Sequence, residues 1–180
     1  MDLYNKVVKY VDESFGGKKP HFERAVYWYS KFIPNITEAH KIAAYAHDIE
    51  RAFRDKNKTM PDSFLDQFYQ KYHPEKGAEI IGEFLKQNGV DAEIINKVKH
   101  LVGKHEVGGD FEQNALMDAD AISFFETNAQ HFVEERAPVE GYEKIKEKLN
   151  WMFDRINSEE HKKFAKENYE KWSKELEKYK

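Results

Sequence analysis

The sequence predicts an all-α protein that folds as a single domain. Apolar residues recur every three or four positions in nearly every segment, and glycine or proline stands where those segments end or begin. No segment alternates apolar and polar residues as a half-buried strand does. The chain has 180 residues, 40% of them hydrophobic, which is enough for one sizeable core. Since we find no internal repeat and no linker, we expect one domain over residues 1–180.

The first three helices are predicted from apolar stripes and from their end signals. The first carries the stripe Leu3, Val7, Val8, Val11 and Phe15, and the glycine pair that follows ends it. The second begins near Pro20, a residue suited to a first helical turn, and stops before the next proline. The third is capped by Asn35 or Thr37 and keeps its apolar stripe from Ala39 to Phe53.

The middle of the chain is predicted as a loop followed by two separate helices. Residues 54–64 are polar and rich in turn formers, which indicates a surface loop close to any site on the third helix. A short helix is expected near 65–72. Proline at the start and glycine at the end then predict a new helix that begins at Pro74.

The last part of the chain is predicted as four helices. Asp91 opens one whose apolar face includes Ile94, Val98 and Leu101. Residues 112–126 are almost all apolar, so we expect that helix to be central. Two long charged helices, about 140–156 and 158–179, close the chain.

Composition narrows the possible functions. The formal charge of −4 argues against a general nucleic-acid binder, whose footprint is a basic excess. No apolar run approaches the roughly 18 residues of a membrane span and the start has no signal-peptide layout, so we expect a cytoplasmic protein without membrane contact. The chain has no cysteine, so any metal must be held by histidine nitrogen and carboxylate oxygen.

Helical spacing places several polar residues on apolar faces. His21 shares a face with Ala25 and Trp28, and His105 continues the stripe of the helix that Asp91 opens. His47 and Asp48 lie at the border of the third stripe. For any one of these histidines a hydrogen-bonded structural role is the simpler interpretation, but together they form a nitrogen and oxygen set that suits a divalent metal.

Other polar residues are assigned by their neighbours. Asp118 and Asp120 both lie in the apolar stretch "ALMDADAISFF", where a buried carboxylate needs a cation or strong donors. His73 is expected at a helix N-terminus, where backbone N–H groups favour an anion. We expect His100 to lie off the buried face, and the histidines in charged surroundings, His40, His131 and His161, to be on the surface.

The order of these residues resembles the HD superfamily of metal-dependent phosphohydrolases, specifically small stand-alone HD-domain hydrolases. The resemblance rests on a His that opens an early helix, on "HD" late in the next helix, and on an Asp in an apolar "DADAISFF" helix. It extends to "YHPEKGAEIIGEFL" and "KVKHLVGKHE" and to the closing helices, over roughly 21–175. It implies an HD-type helical bundle with a metal-site core at about 21–126 and C-terminal helices at about 140–179.

The resemblance also implies roles for individual residues. The metal ligands it implies are His21, His47, Asp48 and Asp120, with Asp118 as the alternative to Asp120. It maps His73 and His105 onto positions that contact the substrate phosphate or a second metal, and if it holds, Arg51 and Lys104 are also expected to bind the phosphate. Asp48, Arg51 and His73 are the residues that it assigns to catalysis.

Two features depart from the family pattern. Members that cleave cyclic dinucleotides carry His-His-Glu followed by "GYP", whereas this chain has Lys104 in place of the first His and no Tyr-Pro. Some nucleotidase members have Glu three residues after the HD Asp, where this chain has Arg51. A cation at that position suits a phosphate better than it suits a general acid, although Arg51 can also pair with Asp55 at i+4.

The expected function is therefore metal-dependent hydrolysis of a phosphate ester, either a nucleotide or another small phosphorylated metabolite. The expected cofactor is a divalent ion: Mn, Fe, Co, Mg, Ni or Zn. The alternatives are a non-catalytic metal- and nucleotide-binding regulatory module whose charged C-terminal helices form a homodimer contact, and a metal-free bundle with an incidental HD pair.

Overall fold

The computed structural model describes residues 2–55 and 63–180, and within them the protein is all-α, as predicted. The N-terminal half contains α1 (Leu3–Ser14), α2 (Pro20–Phe32), α3 (Glu38–Ala46), α4 (Glu50–Phe53), α5 (Gln67–Gln87) and α6 (Ala92–Val102). The C-terminal half contains α7 (Phe111–Thr127), α8 (Ala129–His131), α9 (Ala137–Glu140), α10 (Tyr142–Asp154) and α11 (Glu159–Leu176). A π-helical turn, Phe132–Arg136, joins α8 to α9, and a 3₁₀ turn, Glu177–Tyr179, follows α11.

Helix α7 is the central element, because it belongs to both hydrophobic cores. Its first half packs with α1, α2, α3, α5 and α6 through residues that include Leu116 and Ala119. Its second half, from Ala121 and Ile122 onward, packs with the helices that follow it. Asp120 therefore lies on the boundary between the two cores, in a helix that is buried along most of its length.

The predicted break before Pro74 is wrong. Helix α5 runs without interruption from Gln67 to Gln87, with Pro74 inside it. Proline lacks the N–H that an interior helical position donates, so this turn loses one backbone hydrogen bond. Side-chain contacts offset the loss, because His73 and Pro74 are both buried and both ring nitrogens of His73 contact carboxylates. His73 is thus a mid-helix residue and does not lie at a helix N-terminus.

The long third helix is in fact two helices, because α3 ends at Ala46 and α4 begins at Glu50. Between them the backbone tightens into i→i+3 hydrogen bonds, from Ile49 N to Ala46 O at 3.0 Å and from Arg51 N to Asp48 O at 2.9 Å. Part of the predicted loop at 54–64 lies outside the described residues. None of the helices in the described parts of the chain combines the length and hydrophobicity that a membrane span requires.

Candidate metal centre

The turn that carries His47 and Asp48 is shaped by a side-chain hydrogen bond. His47 Nδ1 donates to Ala44 O at 2.8 Å, a carbonyl that accepts from residue 48 in a continuing α-helix. His105 repeats this arrangement just beyond the end of α6, where its Nδ1 donates to Val102 O at 2.9 Å. In both histidines the bond to a carbonyl fixes the tautomer, because a carbonyl only accepts, and the Nε2 lone pair is left facing inward.

The first cluster consists of His21, His47 and Asp120, and we call it the His21 cluster. His21 Nε2 lies 3.3 Å from His47 Nε2 and 3.0 Å from Asp120 Oδ1. His47 Nε2 lies 3.3 Å from the same Asp120 oxygen. All three side chains are buried.

Ser123 fixes the ring of His21 from behind. The Ser123 hydroxyl donates to Asp120 O at 2.8 Å, one turn back along α7. Its lone pair is then available to accept from His21 Nδ1, which lies 3.0 Å away. His21 therefore also presents an Nε2 lone pair to the cluster, and the two Nε2 atoms of the cluster repel each other unless a proton or metal cation lies between them.

The second cluster consists of Asp48, His73, His105 and Glu106, and we call it the His73 cluster. His73 Nε2 lies 2.9 Å from Asp48 Oδ1 and 3.9 Å from Glu106 Oε1. His105 Nε2 lies 3.7 Å from both of those oxygens. On the far side of the His73 ring, Nδ1 donates to Glu50 Oε2 at 2.6 Å. This is the carboxylate–histidine arrangement that orients imidazole ligands in metal sites.

Asp48 links the two clusters. Its Oδ1 atom faces His73, and its Oδ2 atom lies 3.9 Å from His47 Nε2. The four ligands implied by the sequence therefore do not converge on one point. Three of them form the His21 cluster, while Asp48 lies mainly in the His73 cluster and has one oxygen toward His47.

Two arginines neutralise the carboxylates of both clusters. Arg155, from the end of α10, makes short contacts to Glu106 Oε2 and to Asp120 Oδ2. Arg51 Nε lies 3.0 Å from Asp48 Oδ1, and its Nη2 lies 3.6 Å from Glu106 Oε1. Burying three carboxylates without such partners would be costly. Arg155 thus contacts the oxygens of Glu106 and Asp120 that face away from the imidazoles, whereas Arg51 shares Asp48 Oδ1 and Glu106 Oε1 with the imidazoles of the His73 cluster.

The field of the carboxylates changes the protonation of the histidines. Burial alone would lower the pKa of His47, but Asp48 and Asp120 outweigh it and raise that pKa to about 9. Burial opposes protonation of His73 too, and its hydrogen bonds to Asp48 and Glu50 raise its pKa nevertheless. His105 differs, because burial dominates and lowers its pKa. The two clusters therefore attract cations, as protons or as metal ions.

The carboxylates remain ionised for the complementary reason. Burial would raise the pKa of Asp48, but Arg51 and His47 hold it well below its usual range. Burial likewise opposes the ionisation of Glu106, and Arg155 outweighs it and lowers the pKa to about 2. Ionised carboxylates and neutral imidazoles are the forms that bind metal.

A small cavity opens beside the two clusters. It measures about 20 Å³, and its walls include His21, Asp48, Glu106 and Asp120. A water molecule needs roughly 10–15 Å³ of such volume, so the space suits one water or one ion.

The other sequence-predicted residues divide into those near the clusters and those away from them. Arg51, His73 and His105 contact the clusters, whereas Lys104 is exposed and is not among the residues that line this cavity. Asp118 accepts from Asn157 N at 2.6 Å and from Ser158 N at 3.2 Å, so it stabilises the start of α11 and lies outside both clusters. The structure thus places Asp120, the preferred of the two aspartates, beside the histidines.

Two histidines that we expected on the surface are in fact packed. His40 is buried, with Nδ1 accepting from Thr37 N at 3.1 Å and Nε2 lying 3.2 Å from Glu112 Oε1. His161 is only partly exposed, because its Nδ1 lies 2.7 Å from Asp118 Oδ2. In both cases a carboxylate on α7 makes burial of the imidazole acceptable. His100 and His131 are exposed, as expected.

Sequence reasoning missed five residues that complete the site: Glu50, Glu106, Ser123, Lys148 and Arg155. Glu106 directly follows His105, so the "HE" pair was a usable signal. Lys148 lies three residues after Ile145 and four before Met152, which puts it on the apolar face of α10. That spacing could have identified Lys148 despite the many lysines of the helix.

A family model described as "Domain of unknown function (DUF4202)" matches residues 17–178, which include every residue of both clusters. No curated protein and no solved structure matches the chain.

Proposed function

This chain belongs to the DUF4202 family, and from the geometry of its two clusters we propose that it is a metal-dependent hydrolase of phosphate esters, of HD type. One observation carries the proposal. Four buried imidazoles are each held at Nδ1, and their four Nε2 atoms face the carboxylates of Asp48, Glu106 and Asp120. Buried imidazoles that are oriented at Nδ1 and direct Nε2 toward carboxylates form a set of ligand atoms suited to a metal ion.

The donors fit a divalent cation at each cluster. His105 Nε2 is buried and has no hydrogen-bond partner among the described residues, so it is an unused lone pair aimed at two carboxylates. An unsatisfied buried polar atom costs about 1–3 kcal/mol, and a cation among these donors would remove that cost. His21, His47 and Asp120 would hold one ion, while Asp48, His73, His105 and Glu106 would hold a second.

The donor set limits the choice of ion. Nitrogen and oxygen ligands without thiolate suit Mn, Fe, Co, Ni, Zn and, through the carboxylates, Mg. When bound, such an ion polarises a phosphoryl oxygen and makes a water molecule more acidic. In the hydrolysis, the water oxygen bonds to phosphorus, the bond from phosphorus to the ester oxygen breaks, and a proton passes to the departing alcohol.

The chain's own residues supply the remaining requirements. Arg51 is the cluster cation that solvent reaches, with 38% of its side chain exposed, so it can turn from Asp48 to a phosphate. Asp48 has a low pKa and is a poor proton acceptor, so its role is to hold and orient. His73 has one nitrogen on Glu50 and the other on Asp48, which favours a ligand role over contact with substrate.

The order His21, His47-Asp48, Asp120 along the chain supports assignment to the HD type. Inclusion of His73 and His105 in the second cluster agrees with the resemblance, which relates them to a phosphate or a second metal. Lys104 has no part in the proposal, since it is exposed and lines neither cavity.

A metal- and nucleotide-binding module without catalysis is the second candidate. The observation that favours it is Arg155, whose guanidinium lowers the pKa of both Glu106 and Asp120 and so makes these carboxylates poor proton acceptors for a catalytic step.

A hydrolysis screen distinguishes these candidates. Purified protein would be freed of metal, reloaded with Mn²⁺ or Mg²⁺, and assayed for phosphate release over nucleotides and other small phosphate esters. We expect release that depends on added metal and is lost in Asp120→Asn, with His131→Ala as the matched control. Metal binding without release from any ester would favour the module, and absence of metal binding would overturn both candidates.

A further inference from the structure

A larger cavity of about 240 Å³ adjoins the small one beside the clusters. The two cavities share four lining residues: Arg51, Glu106, Phe132 and Lys148. The larger one is also lined by Phe64 and Trp151. Its walls thus combine aromatic rings with cations, which is the composition that binds a ring attached to an anionic group.

Lys148 is the unusual residue of this cavity. It is only 5% exposed, and its Nζ lies 4.3 Å from the centre of the Trp151 ring, 5.1 Å from that of Phe64 and 5.4 Å from that of Phe124. No described carboxylate or carbonyl lies within hydrogen-bond or ion-pair distance of that Nζ. By contrast, Arg136, another cation of the same wall, donates to both carboxylate oxygens of Glu140.

A buried ammonium without an anionic partner is costly to the folded protein. The cost is visible in the pKa of Lys148, which burial lowers to about 7 although Glu106 acts to raise it. A lysine that served only to pack its methylene stem would extend its ammonium group to solvent. Lys148 instead keeps its ammonium among rings, where the two cavities meet, and this arrangement suits an anion that arrives with a ligand.

We propose that the larger cavity binds the substrate through Lys148, and that the substrate is a phosphate ester whose alcohol part carries a planar ring. The inference rests on the proposed function and deepens it. Lys148 pairs with a phosphoryl oxygen where the cavities meet, and Phe64, Phe132 and Trp151 contact the ring. The volume lies below the roughly 300–1,000 Å³ of drug-sized pockets, which favours a ligand with one ring system over a dinucleotide.

The test measures binding without turnover. The full-length protein is titrated calorimetrically in EDTA with three probes: adenosine 5′-monophosphate, adenosine and ribose 5-phosphate. The monophosphate is expected to bind more tightly than either of its parts. Lys148→Met is expected to weaken both phosphate-bearing probes by at least about tenfold and to leave adenosine unchanged, since only the charge-assisted contact is lost. Lys146→Met removes an exposed lysine two residues away on the same helix and is the matched control.

Stability provides an independent check on Lys148→Met. Lys148 has no anionic partner among the described residues, so replacing its buried ammonium by an apolar chain of similar length should leave the melting temperature unchanged or raise it. Weaker binding by this variant then cannot result from unfolding. If that variant does not fold, Lys148→Gln provides the same comparison.

Three results would overturn the proposal: no binding of the monophosphate to the parent, equal binding by Lys148→Met and Lys146→Met, or ribose 5-phosphate binding as tightly as the nucleotide. Because no metal is present, a protein that binds these probes but hydrolyses no ester would contradict the proposed function and leave this inference standing.

Discussion

The two clusters use the same donors but differ in how their hydrogen-bonding capacity is satisfied. In the His21 cluster each pair of ligand atoms lies 3.0–3.3 Å apart, and the serine and carbonyl behind the rings take up both Nδ1 atoms. In the His73 cluster the nitrogen–oxygen distances range from 2.9 to 3.9 Å, and His105 Nε2 has no hydrogen-bond partner within the described part of the chain. The ligand atoms of the first cluster are therefore close together and all have partners, whereas those of the second are farther apart and include one nitrogen without a partner among the described residues.

This difference points to different affinities for a cation. A proton shared between His21, His47 and Asp120 can satisfy the first cluster, so a metal there must displace that proton. In the second cluster a metal must displace a proton from His73, but His105 is a neutral imidazole, and there are two carboxylates in place of one. We therefore expect metal to bind first at the His73 cluster, and Asp48 to link the two steps because it contacts both clusters.

The largest expected effect is that of Asp48→Ala, because Asp48 is the residue that the clusters share. We expect loss of retained metal at both clusters and loss of ester hydrolysis, measured by elemental analysis after desalting and by phosphate release. His100→Ala and His131→Ala should retain both, since these histidines are exposed. Full activity of metal-replete Asp48→Ala would rule out the mechanism.

A pair of variants then separates the clusters. Glu106→Gln should weaken Mn²⁺ binding at the His73 cluster, and Asp120→Asn should weaken it at the His21 cluster. Each loss should exceed the roughly 10–100-fold typical of residues that only support a ligand. Calorimetric titration with Mn²⁺ should show one remaining binding event in each variant. If each variant lost Mn²⁺ binding at both clusters, the clusters would form a single site.

Arg51→Ala is expected to act on the reaction and not on metal retention. Loss of one cation that stabilises transition-state charge costs on the order of 3 kcal/mol, or about a hundredfold in rate. Metal content should stay the same, because a guanidinium is not a ligand and its removal frees Asp48 Oδ1. Unchanged hydrolysis would remove Arg51 from substrate binding, while lost metal would make it a support for the cluster.

Ser123→Ala should have the smallest effect and should be confined to the His21 cluster. Without the hydroxyl that accepts from His21 Nδ1, the imidazole can rotate or change tautomer. We expect Mn²⁺ affinity to fall by about tenfold at that cluster and to stay unchanged at the His73 cluster. Thr127→Ala, which removes another hydroxyl of the same helix, serves as the control, and equal losses in the two variants would show that the effect arises from packing.

The parts of the fold that the sequence predicts well are those governed by local chemistry. The apolar stripes and the glycine and proline signals predicted the ends of α1 and α2, and the almost wholly apolar stretch predicted the central position of α7. The inward faces of α2 and α7 and the border of the third stripe also gave His21, Asp120 and His47 as candidate ligands, and the structure brings these three together.

The parts that failed depend on contacts between distant segments. Pro74 continues a helix because Asp48 and Glu50, more than 20 residues earlier, hold His73. Arg155 reaches Glu106 and Asp120 from a helix whose charges look uniform in sequence. Asp48 lies in the turn between α3 and α4, and this turn directs its side chain toward the His73 cluster. Helical spacing could not predict that direction, because the helix ends before Asp48.

The most direct test of the central claim is the position of bound metal. Crystals grown with Mn²⁺ would be measured at the manganese absorption edge, and anomalous difference maps would locate the ion. Our account predicts a peak among the Nε2 atoms of His73 and His105 and the carboxylates of Asp48 and Glu106, and at higher Mn²⁺ a second peak among His21, His47 and Asp120. Mn²⁺-saturated crystals with no peak at either cluster, and with Arg155 still bridging Glu106 and Asp120, would contradict it.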